Sequence, residues 1–248
     1  MEAYIYRQFC TRHNQLENAL NLCLTATKED FDVKAFIDSF WREPGLKRSL
    51  DKIYEIVVYA LFSALVEEME LQVTVSVPAE KIAVLTEFSG FARKVMCLEP
   101  EKLTHTEQAR VFRVGVTNAA DRGLDMYSNW GPAIQIKHLS LDVELAQNIV
   151  ESISSDRIVI VCKEAEKDII LSLLTQIGWK SRIQSVVTET ELVDWYEKAL
   201  RGVYAEQIGE NLLRRLRQEI GREFPSVREL PDVLRERGYE QIADPYWG

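Results

Sequence analysis

The sequence predicts an α/β protein in which a mixed central sheet is flanked by helices, with further helices added at both ends. Three observations lead to this class. A helical stretch beginning near residue 50 is apolar on almost every side, strand-period and helix-period segments alternate densely between residues 109 and 188, and most of the chain beyond residue 188 is long, charged helix. With 248 residues, 46% of them hydrophobic and 28% charged, the chain has enough apolar material to bury such a core.

The opening residues, to about Phe40, read as one or two helices, with Asp30 or Asp32 placed to cap the run VKAFIDSFW. Pro44 and Gly45 then break the chain. Ser49 is placed to cap the helix LDKIYEIVVYALFSALVEEME, in which Ile53, Ile56, Val57, Ala60, Leu61, Ala64 and Leu65 recur at helical spacing. Val58, Tyr59 and Phe62 make its remaining faces apolar, so this helix is expected at the centre of the fold. LQVTVSV alternates as a strand and ends at Pro78, AEKIAVLTEFSGFARKVM returns to helical period, and LEPEKLTHTEQ reads as a loop.

The dense stretch begins at Ala109. ARVFRVGVTN, GLDMYSNW and AIQIKHLSL read as three strands, then DVELAQNIVESI as a helix, RIVIVCK as a strand, EAEKDIILSLLTQIG as a helix and SRIQSVVT as a last strand. Thr188 and Glu191 form a capping box opening the helical stretch that runs to Phe224, with an interruption expected at Gly202 or Gly209.

Composition excludes several classes. No run of eighteen uncharged apolar residues occurs and the first residues lack the layout of a secretory signal, so no membrane span is expected and the cytoplasm is the expected compartment. Cys10, Cys23, Cys97 and Cys162 never form a C-x-x-C pair, so they read as core thiols rather than zinc ligands or disulfides. Neither G-x-x-x-x-G-K-[ST] nor G-x-G-x-x-G is present, which argues against a nucleotide cofactor. A net charge of −9 opposes nucleic-acid binding as a whole-body field, yet it leaves open a basic cleft on an acidic body.

The chemistry-bearing residues lie on the second and third of those strands. Strand alternation sends Gln135 and Lys137 to one face while Ile134 and Ile136 enter the core. If the turn Asn129–Trp130–Gly131–Pro132 closes an antiparallel hairpin, Asp125 comes beside Gln135 and Lys137. A carboxylate, an amide oxygen and the Ile136 carbonyl are ligands suited to a hard cation such as Mg²⁺, and an adjacent ammonium suits phosphodiester hydrolysis. The alternative is a plain cross-strand ion pair between Asp125 and Lys137.

The order of elements and the segment GLDMYSNWGPAIQIKHLSL resemble the PD-(D/E)XK nuclease superfamily, and more narrowly type II restriction endonucleases of the HaeII kind, over the stretch from Tyr54 to Lys163. The resemblance implies a restriction-endonuclease-like core at 49–189, a helical segment at 1–48 and another at 190–248. It implies a Mg²⁺-dependent enzyme of a restriction–modification system, acting as a homodimer on both strands of a short palindromic site in double-stranded DNA. Asp125, Gln135 and Lys137 would then be catalytic, Asp125, Gln135 and Ile136 would hold the metal, and Glu55 would be an auxiliary acid and ligand on the central helix. Gln135 departs from the family pattern, which has Glu or Asp there.

Asn118, Asp121, Arg122, Asn129 and His138 flank the proposed cleft and are the candidate DNA contacts. Asn and Arg side chains read base edges, but they also serve turns and ion pairs, and His138 also reads as a satisfied, partly buried histidine. Two rival readings stay open on the sequence: a structure-specific repair or recombination nuclease of the same fold, and a DNA-binding protein that has lost activity.

Overall fold

The computed structural model describes residues 2–43, 45–114, 124–165, 182–225 and 235–236. Helix α1 spans Glu2–Leu24 and α2 spans Val33–Arg42. Asp32 caps α2: its backbone is extended and its carboxylate accepts from the Ala35 N–H at 2.9 Å. Asp30 instead accepts from the Thr27 N–H in the preceding turn.

Helix α3, Leu50–Glu68, is the central element the apolar pattern requires: Ile53, Ile56, Val57, Val58, Ala60, Leu61 and Ala64 are all fully buried. Ser49 does not cap it. That residue closes a 3₁₀ turn, Lys47–Ser49, in helical conformation, and its hydroxyl makes no capping bond.

After α3 the chain makes a small two-stranded sheet, β1 (Gln72–Ser76) antiparallel to β2 (Thr104–Gln108). β2 corrects the loop expected for LEPEKLTHTEQ. Its polar residues give no apolar alternation, and the strand is held by main-chain pairing and a Thr74–Thr106 hydroxyl contact of 3.0 Å. Between these strands lie α4 (Ile82–Glu87), the short α5 (Ser89–Phe91) and a π-helical turn over Ala92–Met96, rather than one continuous helix. Cys97 ends the turn in the left-handed region at φ 55° and is exposed, unlike Cys23 and Cys162, which are buried.

The main sheet has five strands in the order β3 (Val111–Arg113), β4 (Met126–Ser128), β5 (Ala133–Lys137), β6 (Ile158–Cys162) and β7 (Ile183–Thr188). β3, β4 and β5 are antiparallel neighbours, whereas β5, β6 and β7 run parallel. The parallel step from β5 to β6 is bridged by α6, Val143–Ser152, capped by Asp142. Most of the helix expected for EAEKDIILSLLTQIG lies outside the described residues.

Alternation divides the sheet between two layers. Met126, Ile134, Ile136, Val159, Val161 and Val187 join the core around α3. Ala133, Ile158, Ile160, Cys162 and Ile183 pack against Ala146, Ile149 and Val150 of α6. β5 and β6 are therefore covered on both sides, which is why β6 reads as a continuous apolar run, whereas β5 interleaves Gln135 and Lys137 with its apolar residues.

The Thr188–Glu191 capping box opens α7, Glu189–Arg201, and the chain breaks at Gly202 before α8, Ala205–Glu223. Gly209 lies buried inside α8 and interrupts nothing. The core around α3 also takes residues from α1, α2, α7 and α8. Within it, the buried Tyr196 hydroxyl donates to the Val57 carbonyl at 2.8 Å. No helix among the described residues is long and apolar enough to cross a membrane.

Candidate active site

The β4–β5 hairpin positions the site. Its register pairs Met126 with Ile134 and Tyr127 with Ala133, which sets Asp125, the residue before β4, across from Gln135. The turn is closed by the Ser128 and Gly131 N–H groups, which donate to the Pro132 and Ser128 carbonyls at 3.0 and 3.3 Å. Gly131 has φ 123°, a backbone conformation that side-chain-bearing residues rarely adopt, so the turn needs glycine there. Arg157 in turn donates to the Trp130 carbonyl, and the Trp130 ring packs on the core around α3.

Asp125 Oδ2 accepts two hydrogen bonds, from the Gln135 amide at 2.6 Å and from the Ile136 N–H at 2.7 Å. The Asp125 carboxyl is pushed up to about 6, first by burial and also by the negative charge of Glu55; the Ile136 N–H and the charges of Lys137 and Lys52 act against that rise. Gln135 is only 2% exposed, and its Oε1 is buried without a hydrogen-bond partner among the described residues. Its amide donates to Asp125, and its acceptor oxygen is left unfilled among the described residues.

On the α3 side of the sheet, Glu55 is buried and lies close enough for its charge to act on Asp125. The Lys52 ammonium donates to both Glu55 oxygens at 2.8 and 2.9 Å, and Arg113 Nε stands 3.7 Å away. Arg113, itself buried, joins β3 to the end of α8: its guanidinium reaches Glu219 at 3.1 Å and also pairs with Glu223. Buried carboxylates are tolerated here because each has a cation. Lys52 is visible in the sequence as an i,i+3 partner of Glu55; Arg113 is not, since its partners are distant in the chain.

The oxygen donors at the hairpin fit a hard divalent cation: a carboxylate that accepts through Oδ2, an amide oxygen without a partner among the described residues, and the Ile136 main chain beside them. They also form a carboxylate-poor site. Among the described residues no group of three or more His, Cys, Asp and Glu side chains gathers as a metal cluster.

The other candidates are placed differently. Lys137 lines the same cavity wall as Gln135. Asn129 lies at the opposite end of β4 from Asp125, where its side chain is engaged by the Arg110 N–H, the Glu107 carboxylate and the Gln108 carbonyl. His138 meets Asp51 through Nδ1, and its ring stands 6.4 Å from that of Trp41. Lys47 and Lys163 lie over the same Trp41 ring at 5.4 and 4.8 Å, a grouping of cations and an indole that sequence spacing does not reveal. Asn118, Asp121 and Arg122 lie outside the described residues.

Comparison with known proteins adds to this geometry. Residues 1–239 match the family described as HaeII restriction endonuclease. The chain is 51% identical over 246 residues to the type II restriction enzyme HaeII of Haemophilus aegyptius, covering 98% of this chain and 70% of that protein. It is 54% identical over 243 residues to the type II restriction enzyme NgoBI of Neisseria gonorrhoeae, covering 97% of this chain and 69% of that protein. No solved structure matches the chain at a significant level.

Proposed function

The chain belongs to the HaeII restriction endonuclease family, and from that premise we propose that it is a type II restriction endonuclease with a PD-(D/E)XK site centred on Asp125. The reading extends to Mg²⁺ dependence, to hydrolysis of both strands of a short palindromic site in double-stranded DNA, and to a cytoplasmic homodimer whose two-fold symmetry matches that of the site. The observation that carries it is the convergence of Asp125, Gln135 and the Ile136 main chain at one end of a hairpin, with Lys137 on the Gln135 face.

Mg²⁺, when bound, would supply Lewis-acid polarisation of the scissile phosphate and a lowered pKa for the attacking water. Asp125, Gln135 Oε1 and the Ile136 carbonyl would hold it. Asp125 must be ionised to do so. Lys137, two residues beyond Gln135 on the same face, would donate hydrogen bonds to the attacking water and to the negative charge that builds on the phosphate; its position in the cavity lining beside Gln135 supports this role. Glu55 serves as the auxiliary acid: clamped by Lys52 and Arg113, it adds negative potential at Asp125 and keeps the pocket attractive to a cation.

Incubation with mixed plasmid DNA and Mg²⁺ tests the proposal. Discrete fragments whose ends share one short sequence are expected. Binding without cleavage over a range of salt would favour a DNA-binding protein that lost activity, and cleavage confined to branched DNA would favour a structure-specific nuclease.

A further inference from the structure

Gln135 stands where this kind of site needs a charged ligand, and we propose that Glu151, on α6, supplies the missing carboxylate as a metal-ligating residue. The inference rests on the reading of Asp125 and Gln135 as cation ligands.

The layers of the fold lead to it. Ile134 and Ile136 belong to the α3 core, while Ala133 belongs to the α6 core, so alternation turns Gln135 and Lys137 toward α6. Asp125, across the hairpin from Gln135, shares that face because its neighbour Met126 points into the α3 core. A cavity of about 670 Å³ opens between β5 and α6, with Gln135 and Lys137 on the sheet side and Asn148, Glu151 and Ser152 on the helix side.

A second observation points to a ligand in that cavity. Gln135, 2% exposed and lining it, has a buried Oε1 with no partner among the described residues. An amide oxygen is a good but uncharged donor, and Asp125 alone cannot balance a divalent ion that also lies beside Lys137. Glu55 is a poor replacement, being on the α3 layer with both carboxylate oxygens already engaged by Lys52. Glu151 is exposed, has one hydrogen bond from the Gln147 amide at 2.8 Å, and has no cation paired with it among the described residues. Its position at the end of α6, away from the buried Ala146, Ile149 and Val150, lets the side chain turn into the cavity without disturbing the core.

Titration of the intact protein with Mn²⁺ alone, read by electron paramagnetic resonance, tests the assignment without relying on cleavage. Glu151→Gln and Asp125→Asn are each expected to weaken Mn²⁺ binding about tenfold or more, the scale of losing a ligand or its support. Adding Gln135→Glu to Glu151→Gln is expected to restore wild-type affinity, because the carboxylate returns at the sheet position. Thermal melts should coincide with wild type, since Glu151 is exposed. If Glu151→Gln titrates as wild type while Asp125→Asn loses the ion, the role of Glu151 is overturned and that of Asp125 stands. If Asp125→Asn also titrates as wild type, the cation-site reading fails and takes this inference with it.

Discussion

Gln135 donates to Asp125 Oδ2 at 2.6 Å across the β4–β5 hairpin, and the Ile136 N–H reaches the same oxygen at 2.7 Å. An asparagine at 125 keeps an acceptor for the Ile136 N–H but removes the charge. Asp125→Asn is therefore expected to fold and to lose at least about a hundredfold in cleavage rate, in line with removal of a charged group at a reacting centre. Plasmid nicking beside a thermal melt checks both halves; a cleaving variant removes Asp125 from the site.

The same carboxyl makes activity and stability respond to pH in opposite senses. Its pKa is pushed up from 3.8 to about 6 in the metal-free fold, so a cation must displace that proton, and the Mg²⁺ concentration needed for cleavage should rise as pH drops through about 6. The folded protein holds that proton more tightly than the unfolded chain, so this group favours folding below about 3.8 and its contribution is lost as pH rises through about 6. Asp125→Asn should accordingly gain stability relative to wild type at neutral pH, and the gain should shrink near pH 4. Paired melts across that range measure it; a constant difference contradicts the shift.

Lys137 lines the cavity beside Gln135 and is only partly buried, so it does not hold the sheet together. Lys137→Ala should lower the single-turnover cleavage rate by about a hundredfold or more while changing DNA affinity little, since a group acting on the developing charge acts in the transition state. Gel-shift affinity in Ca²⁺ and cleavage in Mg²⁺ separate the two effects. Near-normal turnover takes Lys137 out of the catalytic set.

Arg113 ties Glu55 on α3 to Glu219 and Glu223 on α8. Arg113→Ala takes one of two cations from Glu55 and from Glu219, which keep Lys52 and Arg222, and leaves Glu223 with none among the described residues; it is expected to cost on the order of 3 kcal/mol of stability. Denaturant unfolding measures this loss. A cost near zero would mean that water or Lys52 and Arg222 already neutralise the cluster.

The hairpin is legible in the sequence because alternation and turn chemistry agree: Ile134 and Ile136 interleave with Gln135 and Lys137, and Gly131 marks a bend that needs it. The Thr188–Glu191 cap is legible for the same reason, being complete within four residues. β2 is not, because Thr104–Gln108 offers no apolar face and owes its form to pairing with β1. Ser49 is misleading: a capping side chain cannot act when its own backbone is already helical, and only the 3₁₀ turn before it decides that. At the site, Asp125 and Gln135 are joined by a register that local pattern sets. Arg113, on β3, depends on α3 and α8 being brought together, and the Trp41 grouping depends on α2 meeting the residues that follow β5 and β6.

Glu55 offers a test of coupling between the two layers of the sheet. Its charge raises the Asp125 pKa, though less than burial does. Glu55→Gln keeps the shape and a hydrogen-bonding oxygen for Lys52 while removing that charge, so Asp125 should become easier to ionise. The acid limb of the cleavage–pH profile should move to lower pH. At neutral pH, where Asp125 is already ionised, any fall in rate reports the separate loss of negative potential at the cation site. A purely structural role for Glu55 would lower stability and leave the position of the acid limb unchanged, so measuring the limb and the melt on the same variant distinguishes the two.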